Sequence, residues 1–188
     1  CGDGFCNGNE TCATCAADCG GCTSELRAFP GAEGFGSSTP GGRGGQVFEV
    51  SNLDDSGKGS LRECISAEGP RVCVFRTGGT IVISSPLVVA NPFITIAGQT
   101  APGDGITRRT ASGGDGFRIK TSNVVSRYIT VRPGPGGENH AMFIGNDDLS
   151  ISNIIIDHCS LSWGTDEVMS TLYAVRDSTF QWNIVSEG

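Results

Sequence analysis

Several things are scarce in this sequence of 188 residues. Only 18% of its residues are charged and 7% aromatic, and its 13 Lys and Arg against 20 Asp and Glu leave a net charge of -7. No Lys/Arg cluster appears, which argues against a nucleic-acid partner, since that needs phosphate neutralisation. No apolar run approaches the roughly 20 residues needed to span a bilayer. No segment keeps an apolar period of about 3.6 over any length, so helical repeats are excluded. The LxxLxLxxN pattern of leucine-rich repeats is absent. So is the GxxxxGK[ST] of a phosphate loop, although Phe29–Gly45 is glycine-rich, and the plain reading of Arg43 there is an anchor in a turn. The chain starts on Cys1 rather than Met and stops in the strand-like "IVSEG", so we expect a removed leader and further chain after Gly188.

What is abundant is glycine, 29 residues spread without a collagen period, which favours short strands and many turns. Cysteine is the second excess. Nine are present, six of them in "CGDGFCNGNETCATCAADCGGC". Residues 1–22 hold one large apolar side chain, Phe5, and cannot bury a core, so cross-links are the expected substitute. Three disulfides are the first reading, with the pairing open. Calcium on Asp3, Asn7, Asn9, Glu10 or Asp18 is a second. Zinc is the weaker rival, because the two CxxC pairs lie too close together and no His is near. We expect a cysteine-rich module at 1–22, a linker at 23–27 and a main domain at 28–188. Cys64 and Cys73 flank "ISAEGPRV" and are expected to be bridged across its Gly-Pro turn, which leaves Cys159 as a small buried thiol.

The main domain reads as an all-β solenoid. Short β-branched runs recur between Gly, Asn, Asp and Ser. Ser126, Ser152 and Ser178 fall 26 apart, as do Ser160 and Ser186, and Phe117, Phe143 and Met169. A period of this size predicts stacked coils, and we expect a right-handed parallel β-helix with those residues in columns. "GGTIVISSPLVVANPFITIAGQT" gives three strand-like runs. "APGDGITRRTASGGDG" reads as a loop. "SGKGSLRECIS" reads as the one short helix, capping an end that must be covered.

The stretch "IIIDHCSLSWGTDE", Ile154–Glu167, carries the candidate chemistry. It matches, with "AFPGAEGFG" (28–36), "GGRGG" (41–45), "VSNLDDSGKGSLR" (50–62), "FRTGGTI" (75–81), "ITIAGQTAPGDGI" (94–106) and "ITVRPG" (129–134), the motifs of one family in their order. On these residues the chain resembles the pectate lyases of the parallel β-helix type, polysaccharide lyase family 1; the cysteine-rich head lies outside the resemblance. It implies a secreted, calcium-dependent enzyme, acting as a monomer on polygalacturonate or pectin by β-elimination. No nucleic-acid or membrane partner is expected. A cation bridging carboxylates lets an acidic protein hold an acidic polymer.

Carried over residue by residue, the resemblance makes Asp166 a calcium ligand. Glu167 beside it is a second candidate. His140 or Asn139 stands at a position where the family has a carboxylate, and a neutral imidazole is a poor ligand for a hard ion; Glu138, Asp147 and Asp148 are the nearby alternatives. Asp157 and His158 match a pair that is mainly structural in the family, with a catalytic role as the alternative. The family's base is an arginine in an Arg-x-Pro-x-Arg-like run. Arg127, Arg132 and Arg176 do not match it, so we expect the base beyond Gly188 and little activity from this segment alone. Two other readings stay open: a non-catalytic carbohydrate-binding or adhesin-like β-helix, and a glycoside hydrolase using paired carboxylates.

Overall fold

The computed structural model describes Gly2, Cys15 and residues 26–111, 113–136 and 139–188. The cysteine pattern of 1–22, most of the expected linker and Glu138 thus lie outside the described residues, apart from Cys15, which is disulfide-bonded.

Among the described residues, fifteen strands form three sheets. Sheet A is ordered β1 (Gln46–Val50), β2 (Arg71–Phe75), β5 (Ile94–Ala97), β8 (Val124–Arg127), β11 (Ile151–Asp157) and β14 (Val175–Gln181). Sheet B holds β3 (Gly79–Ile83), β6 (Ile106–Thr110), β9 (Ile129–Arg132), β12 (Ser160–Ser162) and β15 (Ile184–Ser186). Sheet C holds β4 (Leu87–Val89), β7 (Phe117–Ile119), β10 (Met142–Ile144) and β13 (Met169–Thr171). From β2 onward the chain visits A, B and C in turn, and every pairing is parallel. That is a parallel β-solenoid. Each strand is too short to be stable alone and gains its hydrogen bonds from the coils on either side.

The register differs from the one the serine spacing predicts. Ile154 pairs with Val124 and Ser178, while Ser126 pairs with Ile156 and Ser152 with Arg176. The three serines therefore occupy different columns. In sheet C, Met142 sits between Phe117 and Met169, and Phe143 pairs with Arg118 and Ser170. In sheet B, Ser186 pairs with Ser162, not Ser160. The cause is that corner loops change length from coil to coil. The step is 30 residues from Val124 to Ile154 but 24 from Ile154 to Ser178. A constant period averages over this and misplaces individual residues. The stretch read as a loop at 101–116 also contains β6, whose Thr-Arg-Arg-Thr run hides an inward alternation of Ile106, Arg108 and Thr110.

The core is columns of aliphatic side chains, such as Ile94, Val124 and Ile154 in sheet A and Leu87, Phe117 and Met142 in sheet C. Arg108 lies in such a column between Ile81 and Val131, and burial pushes its guanidinium down to about 9. Sheet A is covered on its outer face too. The glycine-rich segment 28–45 crosses it as a strap. Gly36 N–H donates to Thr179 Oγ1 at 2.9 Å and Gly42 N–H to Thr95 Oγ1 at 2.9 Å. A Cβ on Gly36 would sit 2.4 Å from the Ile154 carbonyl oxygen, so only glycine permits this approach. Ala32 packs on Val125 and Ile155 beneath the strap. That explains three consecutive isoleucines: a strand buried on both faces needs no polar alternation.

A helix, α1 (Leu61–Ser66), packs against the first coils. Ser60 caps its start by accepting from Glu63 N–H at 3.2 Å, and Glu63 turns back to accept from Gly59 N–H at 2.6 Å. The Cys64–Cys73 disulfide ties α1 to β2. Arg71 closes the other end. Its buried guanidinium donates to the carbonyls of Cys64, Ile65, Gly69, Asn91 and Pro92. Cys159 is a free, buried thiol.

Candidate active site

Of the four connections from sheet B to sheet C, the last three, at 111–116, 133–141 and 163–168, carry the candidate site. Stacked coils bring them side by side, and four titratable side chains meet there. Asp115 is nearly buried and accepts from His140 N–H at 2.9 Å; the His140 Nδ1 lies 2.9 Å from the same oxygen. Arg118 pairs with its other oxygen. Burial alone would raise the Asp115 carboxyl, but the hydrogen bonds from His140 and Arg118 outweigh it and hold the group below the usual carboxylate range. With Nδ1 engaged by Asp115, the His140 ring turns Nε2 towards the third loop. It lies 3.4 Å from Glu167 Oε2 and 3.6 Å from Asp166 Oδ2, longer than a good hydrogen bond. Phe143 packs edge-on against the same ring, 5.4 Å between centroids.

Buried Asn139 fixes the loops to one another. Its side-chain oxygen accepts from Thr165 N–H at 3.3 Å, and its backbone carbonyl from Asp166 N–H at 3.1 Å. Asp166 and Glu167 themselves are about half exposed, at 48% and 51%. Trp163, at the start of that loop, donates its indole N–H to Glu187 at 2.8 Å and has Arg132 5.8 Å from its ring centre. The cluster is therefore a rigid base from which two carboxylates project into solvent.

A hard cation such as calcium takes about six to eight oxygen ligands. Asp166 and Glu167 fit it as oxygen donors. His140 does not, because its open atom is a nitrogen and its ring is tied to Asp115. Among the described residues no three His, Cys, Asp or Glu side chains are arranged to enclose a metal ion. Any cation held here would complete its shell from other oxygen donors and water. Asp147 and Asp148 lie at another corner, between sheets C and A, where Asp147 is 3.9 Å from Lys120.

The Asp157–His158 pair is elsewhere as well, at the corner from sheet A to sheet B. Asp157 is fully buried, and its carboxylate holds Arg127 Nε at 2.7 Å, Gln181 Nε2 at 2.8 Å and His158 Nδ1 at 2.9 Å. Burial opposes its ionisation, but these three partners keep it below the ordinary range. Phe29 of the strap stacks on the Arg127 guanidinium, 3.7 Å from ring centre to Cζ. Arg132 is engaged with Ser160. Sequence reasoning singled out Asp166, Glu167 and His140, which the fold brings together. It also named Asn139, as the alternative to His140, but gave it no part in fixing the loops, and it missed Asp115. The single available signal for Asp115 was an Asp among glycines in "GGDG", which reads as an ordinary turn.

No protein-family model matches the chain. It is 47% identical over 170 residues to a protein of Emericella nidulans named "Probable pectate lyase C", covering 88% of this chain and 38% of that protein. A namesake from Aspergillus flavus is 46% identical with the same coverage. "Probable pectate lyase 16" of Arabidopsis thaliana is 30% identical over 82% of this chain and 42% of its own length. The chain thus spans well under half the length of these relatives. Among solved structures, jun a 1, the major allergen from cedar pollen, superposes with a TM-score of 0.60 over 78% of this chain and 46% of its own, at 24% identity, a likeness of fold.

Proposed function

We propose, from homology to pectate lyases that runs through nearly all the described coils, that the protein containing this chain is a calcium-dependent lyase acting on polygalacturonate. The observation that supports it within the chain is the pair of exposed carboxylates, Asp166 and Glu167, carried on the interlocked loops of one corner. β-Elimination removes the proton at C5 of a uronate, breaks the C4–O bond and leaves a C4–C5 double bond. A calcium ion held by Asp166 and Glu167 would neutralise the substrate carboxylate and draw charge from the developing carbanion. The chain's own residues hold the geometry. Asn139 sets the position of Asp166, and Asp115 keeps the His140 ring in place beneath the carboxylates. We assign no base among these residues. We further propose that 1–22 is a separate cross-linked module, that the protein is secreted, consistent with the Cys64–Cys73 disulfide, and that it acts as a monomer. No described helix is long and apolar enough to cross a membrane.

The test uses the full-length protein on polygalacturonate. Ultraviolet absorbance from unsaturated products should rise, and chelation should abolish it. Asp166→Ala should raise the calcium concentration needed for half-maximal rate by about tenfold, one lost hard ligand being worth on the order of 1.4 kcal/mol. Reducing ends formed without that absorbance would mean hydrolysis. Binding without product would favour the non-catalytic reading.

A further inference from the structure

We propose that the corner between sheets A and B carries a second carbohydrate site, separate from the carboxylate cluster, that takes a neutral sugar residue. Three rings occupy equivalent corner positions on successive coils: Tyr128, His158 and Trp182. All three have left-handed backbone, with φ of 54°, 52° and 55°. Left-handed Tyr and Trp are rare, and one such residue at each corner turns the chain from sheet A into sheet B. Tyr128 and His158 stack, with centroids 4.6 Å apart and planes 14° from parallel. On the preceding coil the same place falls to Gly98, because Ala97 pairs with Arg127. No ring can stand there. A Cβ on Gly98 would come within 2.3 Å of the Tyr128 carbonyl oxygen.

Where the ring column stops, a cavity of about 520 Å³ opens, bordered by Gly98, Gln99, Asp104, Tyr128, Thr130 and His158. Its chemistry is that of a sugar site. Tyr128 and His158 are each about 40% exposed and offer aromatic surface to an apolar C–H face. Gln99, Asp104 and Thr130 offer donors and acceptors for hydroxyls. The His158 Nδ1 is engaged by Asp157, which fixes the ring and directs Nε2 away from that partner. Among the described residues, no Lys or Arg lines the cavity. The Arg127 guanidinium is 5.3 Å from the Tyr128 ring centre but is occupied by Asp157 and covered by Phe29. Asp104 would repel a uronate. The site thus favours a neutral sugar, unlike the carboxylate corner, where a cation would bridge to an acidic one.

The choice of probe rests on the lyase reading. Tetragalacturonate and its carboxyl-reduced counterpart, in which each uronate becomes a neutral galactose, differ in charge at C6 alone. Binding of each to the full-length protein is measured by titration calorimetry, with saturation-transfer NMR to locate the contacted sugar protons. The reduced tetramer should bind. Tyr128→Ala should weaken it by at least about tenfold, Gln99→Ala should weaken it without disturbing the column, and Tyr128→Phe should retain it. Cleavage of polygalacturonate should be unchanged in all three. Failure of the reduced tetramer to bind, equal binding by Tyr128→Ala, or Tyr128-dependent binding of tetragalacturonate instead would each overturn the proposal. A protein that binds the reduced tetramer through Tyr128 yet forms no unsaturated product would remove the lyase reading and leave this site standing.

Discussion

Replacing Arg71 with Met tests how the end of the solenoid is closed. The guanidinium is buried, and among the described residues it has no carboxylate partner and donates five hydrogen bonds, all to carbonyls. Two of those bonds, to Cys64 and Ile65 at 2.8 Å each, are fully buried. They meet the last turn of α1, where helix carbonyls lack an internal partner. Methionine fills similar space and donates nothing. Stranding a buried carbonyl costs about 1–3 kcal/mol, so these two alone give roughly 2–6 kcal/mol. The bonds to Gly69, Asn91 and Pro92 are partly buried, and water can replace much of them. One term opposes the loss. Burial already lowers the pKa of Arg71, so the native state carries a desolvation cost that methionine removes. The net expectation is about 2–4 kcal/mol, confined to α1 and the turns it touches. A solenoid need not unfold in one step, so a global melting curve is a poor measure. Amide hydrogen exchange in α1 is the better assay. Protection there should fall by roughly 30- to 1,000-fold. Arg71→Lys, with three donors instead of five, should recover part of it. If α1 protection in Arg71→Met falls by less than about tenfold, those carbonyls do not depend on Arg71.

Asp157 gives a pH dependence. Its folded pKa is lowered, so its contribution is present above the unfolded value of about 3.9 and is lost as pH falls through the folded one. Asp157→Asn should lower stability at neutral pH and flatten the acid limb of an unfolding profile; an unchanged limb would place the acid sensitivity elsewhere. Gly36→Ala should lift the strap from sheet A and cost roughly 1–3 kcal/mol as Ala32, Val125 and Ile155 lose packing, seen as faster proteolysis within 28–45. The Cys159 thiol, pushed up to about 11 by burial, should resist alkylation at pH 8 in the folded protein and react once it is unfolded. Alkylation of Cys64 without reductant would contradict the disulfide.

Features that depend on short-range chemistry were legible in the sequence. Cys64 and Cys73 sit either side of a turn that brings them together, and Ser60 to Glu63 spells a helix start. The runs in 78–100 become β3, β4 and β5 because β-branched residues alternate there between turn residues. The register was not legible, since it depends on how many residues each corner absorbs, and nothing local fixes that number. Alternation separates Ile155 from Ile154 and Ile156, as their packing does, but it could not show that both faces are buried, because the strap that covers the outer face comes from more than a hundred residues upstream. Asp115 escaped for the same reason. Its partner His140 is 25 positions away and reaches it only when two corners stack.

The stretch "IDHCSLSWGTDE" shows why neighbouring motif residues need not share a site. His158 and Asp166 are separated by β12, and eight extended residues can cover roughly 26–29 Å. The solenoid spends that length crossing sheet B. Asp157 and His158 are left at one corner, Asp166 and Glu167 at the next. The first pair is locked from within by Arg127, Gln181 and the strap, so its carboxylate has no vacancy for a substrate group. The second pair is held by its backbone and leaves its side chains to solvent. Two aspartates, Asp157 and Asp166, therefore differ according to what covers them. Asp157 is buried beside the strap and its partners, whereas Asp166 at the sheet B–C corner is about half exposed. A single motif thus ties two corners together, and a shift of one residue within β12 would misplace both pairs at once.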